Sequence, residues 1–355
     1  MLAVSACFGQ TVADLTKRAS EGDLSSQLTL GEKYRFGIGV DQDSSQAVRF
    51  YAMAAKQSSV EGEIALGDLY RAGEGIPQDY AEAMRWYKLA AEQRSAEAQF
   101  DVGVMYDSGQ GVAQDYAEAV RWYRLAAEQS LPDAEYNLAL MYANGKGVAQ
   151  DYAEAARWFR IAADQRAMPE AQFNLGVLYD GGQGVAQDYM EAGRWYRQAA
   201  EQGFTEAAFN LAILYVNGQG VAKDDAEAAR WYRLAAEGGQ IEAQYNLGVM
   251  YAEGQGVSKD YKEAAHWYRL AAEQGHRDAA FNLGGLCAAG RGVPQDYVEA
   301  HKWFSIAAAA GDSDSPRAQT AIEARMTAEQ IQKAKAQSAA WKACASQVEC
   351  EARAK

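Results

Sequence analysis

The chain has 355 residues, is 49% hydrophobic and 23% charged, and carries a net charge of −14 with only 5 prolines. A single hydrophobic core stops growing near ~250–300 residues, so this length implies several cores or growth in one direction. The negative balance, with no Lys/Arg block, excludes a surface for a phosphate backbone or an anionic membrane, because such surfaces carry basic stripes.

In chain order, the opening M-L-A-V-S-A-C-F-G-Q combines a short apolar run with small residues, like the tail of a secretory signal, but it has no basic start. Val4-Ser5-Ala6-Cys7 resembles a lipoprotein cleavage box, which makes Cys7 the candidate for lipidation. The expectation is an export signal with its upstream part missing, and a periplasmic or secreted, envelope-associated protein. A cytoplasmic start is the alternative. No stretch approaches the ~20 apolar residues of a membrane-spanning helix. Residues 11–22 imitate the end of a helix and are expected to cap the first of the helices after them.

Tryptophan then recurs at 86, 122, 158, 195, 231, 267 and 303, with Phe50 one period upstream. A bulky aromatic returning every ~36 residues marks a stack of repeats. The copy from Ala96 to Gln129 shows the unit. Ala98, Val102 and Tyr106 form an i, i+4, i+8 stripe on a first helix, A. Gly103 removes a side chain where a second helix must come close, and Gly109 ends helix A by taking a left-handed backbone. Asp115 with Glu118 reads as an acidic capping box opening helix B, repeated at Asp79/Glu82, Asp151/Glu154, Asp188/Glu191, Asp224/Glu227, Asp260/Glu263 and Asp296/Glu299, with Asp43/Gln46 as the eighth. Ala119, Trp122 and Ala126 place the indole toward the core. The one spacing of 37 is expected to lie in the inter-repeat loop near Arg166-Ala167-Met168-Pro169.

After Gly311 the period stops, and Arg317–Lys342 is expected to form one or two capping helices anchored by Trp341. The division is therefore 1–22 as signal remnant and cap, 23–311 as eight repeats, and 312–355 as C-terminal caps. Only Cys7, Cys287, Cys344 and Cys350 are present, too few for a disulfide framework. Cys344 and Cys350 face apart on an unbroken helix. A bridge between them requires a break near Ser346–Val348, and two unrelated thiols are the alternative.

The pattern A-x-x-x-L-G-x-x-Y-x-x-G-x-G-V-x-x-D-x-x-x-A-x-x-W-x-x-x-A-A resembles the Sel-like repeat, a relative of the tetratricopeptide repeat. Cys287, Asp225 and Phe50 depart from it at the helix A tyrosine, the residue after the capping Asp, and the tryptophan. The resemblance implies an all-α, right-handed solenoid acting as a non-catalytic scaffold or adaptor for a protein or peptide in a bacterial envelope or signalling assembly. A cell-wall, β-lactam or peptide hydrolase is the alternative.

Like positions line up along a stack, so columns carry the functional reading. Asp101, Asn137, Asn174, Asn210, Asn246 and Asn282 on helix A can pair with the backbone of an extended peptide whatever its sequence. Glu61, Glu97, Asp133, Glu170, Glu206, Glu242 and Asp278 offset the positive end of helix A. Arg85, Arg121, Arg157, Arg194 and Arg230 fit a solvated outer face paired with glutamates. The three histidines, His266, His276 and His301, form no recognisable pattern with Cys287 or a serine, so no enzyme, cofactor or metal is expected, and the chain is expected to be a monomer.

Overall fold

A computed structural model describes the backbone of residues 11–353, and side chains except those of Gln165, Arg166 and the residues from 342 onward. Among the described residues there are nineteen helices and no strand. The chain divides into two compact units, residues 1–171 with 183–185, and residues 172–182 with 186–355. In the first unit α1 (Val12–Ser20) precedes the A/B pairs α2 (Leu24–Phe36) and α3 (Ser44–Ala55), α4 (Val60–Ala72) and α5 (Tyr80–Glu92), α6 (Ala96–Ser108) and α7 (Tyr116–Ala127), and α8 (Pro132–Asn144) and α9 (Tyr152–Arg166). The remaining pairs are α10 (Pro169–Gly181) and α11 (Tyr189–Glu201), α12 (Thr205–Asn217) and α13 (Asp225–Glu237), α14 (Ile241–Glu253) and α15 (Tyr261–Glu273), and α16 (Arg277–Ala289) and α17 (Tyr297–Ala309). They are followed by α18 (Ser315–Glu323) and α19 (Ala328–Arg353). Within each unit helix A packs on its own helix B, and helix B on the next helix A.

Local signals set these boundaries. Gly109 closes α6 at φ 70°, and Gly37, Gly73, Gly145, Gly218, Gly254 and Gly290 do the same for their helices. The glutamine in the following turn caps the same end: Gln114 Nε2 donates to the Asp107 carbonyl at 2.6 Å, and Gln150 Nε2 to that of Ala143 at 2.7 Å. At the start of α7 the Asp115 carboxylate accepts from the Ala117 and Glu118 amides at 2.9 and 3.1 Å. The other half of the expected capping box is not formed. The Asp115 amide donates instead to the Tyr106 carbonyl at 3.0 Å, and the same bond recurs from Asp79 to Tyr70 and from Asp260 to Tyr251. With that amide satisfied by helix A, Glu118 is free to pair with Arg121 at 3.4 Å.

Packing within a repeat turns on one ring. A Cβ placed on Gly103 would lie 2.7 Å from the Tyr123 ring, and one on Gly248 would lie 2.6 Å from that of Tyr268. Tyr87, Tyr123 and Tyr196 are almost completely buried, deeper than the preceding tryptophans. Trp86 and Trp122 are only half-buried, with the guanidinium groups of Arg85 and Arg121 4.7 and 5.9 Å from their ring centres. The buried indole N–H groups of Trp86, Trp122, Trp195, Trp231 and Trp267 have no hydrogen-bond partner, so the column uses the indole for its apolar area. Phe50 fills the same place in the first repeat at 3% exposure.

Between repeats a glutamine tie crosses three helices. Gln27 on α2 donates to the Ala19 carbonyl at 2.9 Å and accepts from Gln57 at 2.8 Å. Gln99 likewise joins Ala91 to Gln129, and Gln244 joins Ala236 to Gln274. Buried amides stabilise a fold only when their hydrogen bonds are made, and these are bonded on both sides. From Gly111 onward the second glycine of the turn then fixes the stacking distance. A Cβ on Gly147 would lie 2.2 Å from the Tyr116 carbonyl, and one on Gly256 2.0 Å from that of Asp225, both in the preceding helix B.

The extra residue of the long period is not confined to a loop. α9 runs to 15 residues, where the other B helices have 12 or 13, and Ala167 ends it in a left-handed conformation at φ 50°. In the last repeat Cys287, buried where other repeats have tyrosine, leaves Arg269 to pair with Glu299 at 3.4 Å. α18 and α19 both pack on α17, and Trp341 meets Trp303 edge-on at 5.7 Å, as expected of an anchor. Cys7 lies outside the described residues, as do the side chains of Cys344 and Cys350.

Replacing Gly256 by Ala should lower stability by about 3 kcal/mol or more, since the added carbon meets backbone at a left-handed residue. Gly275→Ala, also at positive φ but with nothing within 4 Å, should cost only ~1 kcal/mol. Urea midpoints of the two variants check the difference.

Candidate functional site

Helix A presents each unit's expected recognition column. Asp101 and Asn137 in the first unit, and Asn174, Asn210, Asn246 and Asn282 in the second, are all half-buried. The helix B tyrosine of the preceding repeat backs the amides: Asn137 faces Tyr123, Asn210 faces Tyr196, and Asn246 faces Tyr232. The phenols are themselves fixed, Tyr123 donating to Asp107 at 3.3 Å and Tyr196 to Asp180 at 3.1 Å. Asn282 faces both Tyr245 and Tyr268. Burial pushes the pKa of Tyr232 up to about 12, so the phenol stays neutral and faces the amide without carrying charge. An amide so held keeps hydrogen-bonding capacity on its exposed side, which suits a backbone partner.

Two columns that the sequence reading did not single out flank the amides. One is aromatic: Phe100 and Tyr136 in the first unit, and Phe173, Phe209, Tyr245 and Phe281 in the second, all half-buried. Each ring leans on the helix B ring of its own repeat, as Phe209 does on Tyr232 at 5.7 Å and Phe281 on Phe304 at 5.5 Å. The other is aliphatic, with Val104 and Leu140 in one unit and Val177, Ile213 and Val249 in the other. Their i, i+4 spacing from the aromatic column was legible, but half-buried apolar residues on a repeat read first as core. Hollows open beside the amides in the second unit. One of about 250 Å³ is bordered by Tyr232, Asn246 and Val249, and one of about 410 Å³ by Tyr245, Phe281 and Asn282. The larger sits at Gly285, where the aliphatic column has no side chain.

Asp101 departs from the column. Tyr87 donates its hydroxyl to Asp68 at 2.7 Å, as Tyr123 and Tyr196 donate theirs to Asp107 and Asp180, and the Asp101 carboxylate, unlike an amide, has no N–H to offer the phenol oxygen. Burial, with Asp68 and Glu97 nearby and Arg71 opposing them, pushes its pKa up to about 7.

The other columns behave as helix-end and surface features. Glu61, Glu97, Asp133 and their equivalents sit in first turns of helix A. Arg85, Arg121, Arg157, Arg194 and Arg230 are exposed and paired with the glutamate three residues before them. His276 caps α16 by accepting from the Ala279 amide at 3.1 Å and lies against Tyr245. His301 corrects the sequence reading, because it does meet a serine and a carboxylate. Its Nε2 is 2.7 Å from Glu323 and its Nδ1 3.3 Å from Ser305 Oγ. That hydroxyl donates to the His301 carbonyl at 2.8 Å and accepts from Gln319, while the imidazole is 1% exposed. A nucleophile needs its proton directed at an accessible base, so the group is a latch fastening α18 to α17. Among the described residues no cluster of three or more His, Cys, Asp or Glu could hold a metal, and no helix is long and apolar enough to cross a membrane.

A family model for the Sel1 repeat matches residues 24–59, 60–95, 96–131, 132–166, 169–204, 205–240, 241–276 and 277–312. Among solved structures, a protective antigen of uropathogenic Escherichia coli strains displaying an SLR fold is 35% identical, with a TM-score of 0.83 over 92% of this chain and 72% of that one. A Sel1 repeat protein from Oxalobacter formigenes is 33% identical, with a TM-score of 0.71 over 87% and 90%. No curated protein matches the chain.

Asp101→Asn tests the electrostatics of the column. A carboxyl raised in the folded state holds its proton longer there than in the unfolded chain, so the stability it contributes is full below about pH 4 and is lost as pH rises toward 7. The variant should match the parent near pH 4 and exceed it above pH 7 by on the order of 1–2 kcal/mol, after allowance for partial exposure. Urea midpoints across that range measure it.

Proposed function

Because the chain belongs to the Sel1 repeat family, whose members generally mediate protein–protein interaction, we propose that it is a non-catalytic adaptor holding an extended protein segment along helix A. The observation that carries this reading is the half-buried amide column, backed by tyrosine rings and bordered by apolar side chains and hollows. An extended strand offers a backbone N–H and C=O at regular intervals. Fixed amides pair with these at little entropic cost, while apolar hollows accept alternate side chains. Asn174, Asn210, Asn246 and Asn282 are the residues assigned to this role in the second unit, and Asp101 and Asn137 in the first.

Peptides selected from a displayed random library against the whole chain test the assignment. Affinity should fall at least tenfold in the Asn210→Ala/Asn246→Ala variant and hold in Arg194→Glu/Arg230→Glu on the outer face of helix B. The opposite pattern moves the binding surface to that outer face.

We also propose that the protein acts in the bacterial envelope as a monomer, with Cys7 as its lipid anchor. The lipoprotein-like Val4-Ser5-Ala6-Cys7 supports this, as does the similar Escherichia coli protein's being a protective antigen. Mass spectrometry of the protein expressed in a Gram-negative host should show Cys7 carrying a thioether-linked diacylglyceryl group in the membrane fraction; an unmodified cytosolic chain would discard this location.

A further inference from the structure

Apolar exposure is concentrated in the first repeat. Of the six large hydrophobic side chains that are exposed among the described residues, three fall within fifteen positions: Leu24 at 36%, Phe36 at 61% and Ile38 at 48%. The cause is residue type in the turn that ends α2: Phe36 stands where later copies place Ala72, Ser108 and Asn144, and Ile38 where they place Glu74 and Lys146, so apolar groups occupy positions that face solvent along the chain.

Beside this turn, a hollow of about 700 Å³ opens between α2 and α4. Its floor is Leu24, Leu28, Phe36 and Tyr51, and the carboxylates of Glu32 and Glu61 stand at its rim. No cation lines it. Arg35 is turned into Asp68 and Glu74 at 3.4 and 3.2 Å, Arg71 lies 3.7 Å from Asp68, and the Lys33 ammonium donates to the Ile38 carbonyl at 3.2 Å. Both rim carboxylates are exposed and have no cationic partner. The column of Glu61 continues into Glu97, and that of Glu32 into Asp68, which Arg35 and Arg71 hold.

We propose that this end of the helix A face recognises a partner segment that alternates apolar and cationic side chains, the apolar group entering the hollow and its lysine or arginine neighbours meeting Glu32 and Glu61. The inference rests on the helix A reading above and names the partner chemistry it selects. Charge complementarity chooses this occupant over a second copy of the chain. Two copies docked through this face would oppose carboxylate to carboxylate on molecules that each carry a net charge of −14, and like charges brought together at an interface are costly. A cationic partner gains on both counts, and long-range attraction also speeds its arrival at low salt.

The test uses the full chain and a fluorescein-labelled hexapeptide of alternating lysine and leucine, read by fluorescence anisotropy at low salt. The parent should bind it, and should not bind the matching glutamate–leucine peptide. Glu32→Gln/Glu61→Gln and, separately, Phe36→Ser should each weaken binding at least tenfold. Glu118→Gln/Glu154→Gln, which removes the same charge from the outer face of helix B, should leave it within twofold. Circular dichroism melts confirm that each variant is folded. Equal loss in both glutamate pairs, equal binding of the two peptides, or sedimentation showing a dimer that Phe36→Ser dissociates would each overturn the proposal. The helix A reading fails differently, through unchanged affinity of selected peptides in Asn210→Ala/Asn246→Ala.

Discussion

A tyrosine ring lying where the facing helix has no side chain is the contact on which each repeat depends. Gly103 admits Tyr123 and Gly248 admits Tyr268, and the resulting helix separation places everything else. It brings the helix A tyrosine carbonyl within reach of the amide that opens helix B. It also buries the phenol so that its hydroxyl can reach the next repeat's asparagine. One aromatic side chain thus spaces two helices and aims a third one's amide. Where alanine stands in for the glycine, at Ala139 and Ala212, the facing rings are Phe159 and Tyr232, and both remain buried.

Much of this arrangement could be read from the chain itself, because a repeat states its rules eight times. Period, helix ends and the capping aspartates followed from glycine, aspartate and aromatic spacing alone. The features missed have a common physical character: each depends on a partner from another helix. Gln99 looks like a surface residue until Ala91 and Gln129 are seen on either side of it. Glu118 looked like a cap partner, but the bond it would have made goes to a carbonyl nine residues before the cap. His301 gained a carboxylate only through the placement of α18, which lies beyond the periodic region.

The candidate site was legible in part. The asparagine column was plain, but its flanking aromatic and aliphatic columns were hidden by the ordinary expectation that apolar residues on a repeat are core. Half-burial is what separates the two, and it cannot be read from spacing. Asp101 shows the value of the exception. A carboxylate in a column of amides has no N–H to give the tyrosine oxygen behind it, and it is left half-buried beside two further acids.

The turn glycine that seats on the preceding helix B has a consequence for how such chains change length. From Gly111 onward its contact is with the carbonyl of the first residue of that helix, tyrosine at 116 and aspartate at 225 alike, and backbone does not change with the side chain. Duplicating or excising one complete period by unequal recombination would therefore join old surfaces to old surfaces and require no compensating substitution. Molecules of this design can be lengthened or shortened in whole steps, and the extent of the amide row would change with them.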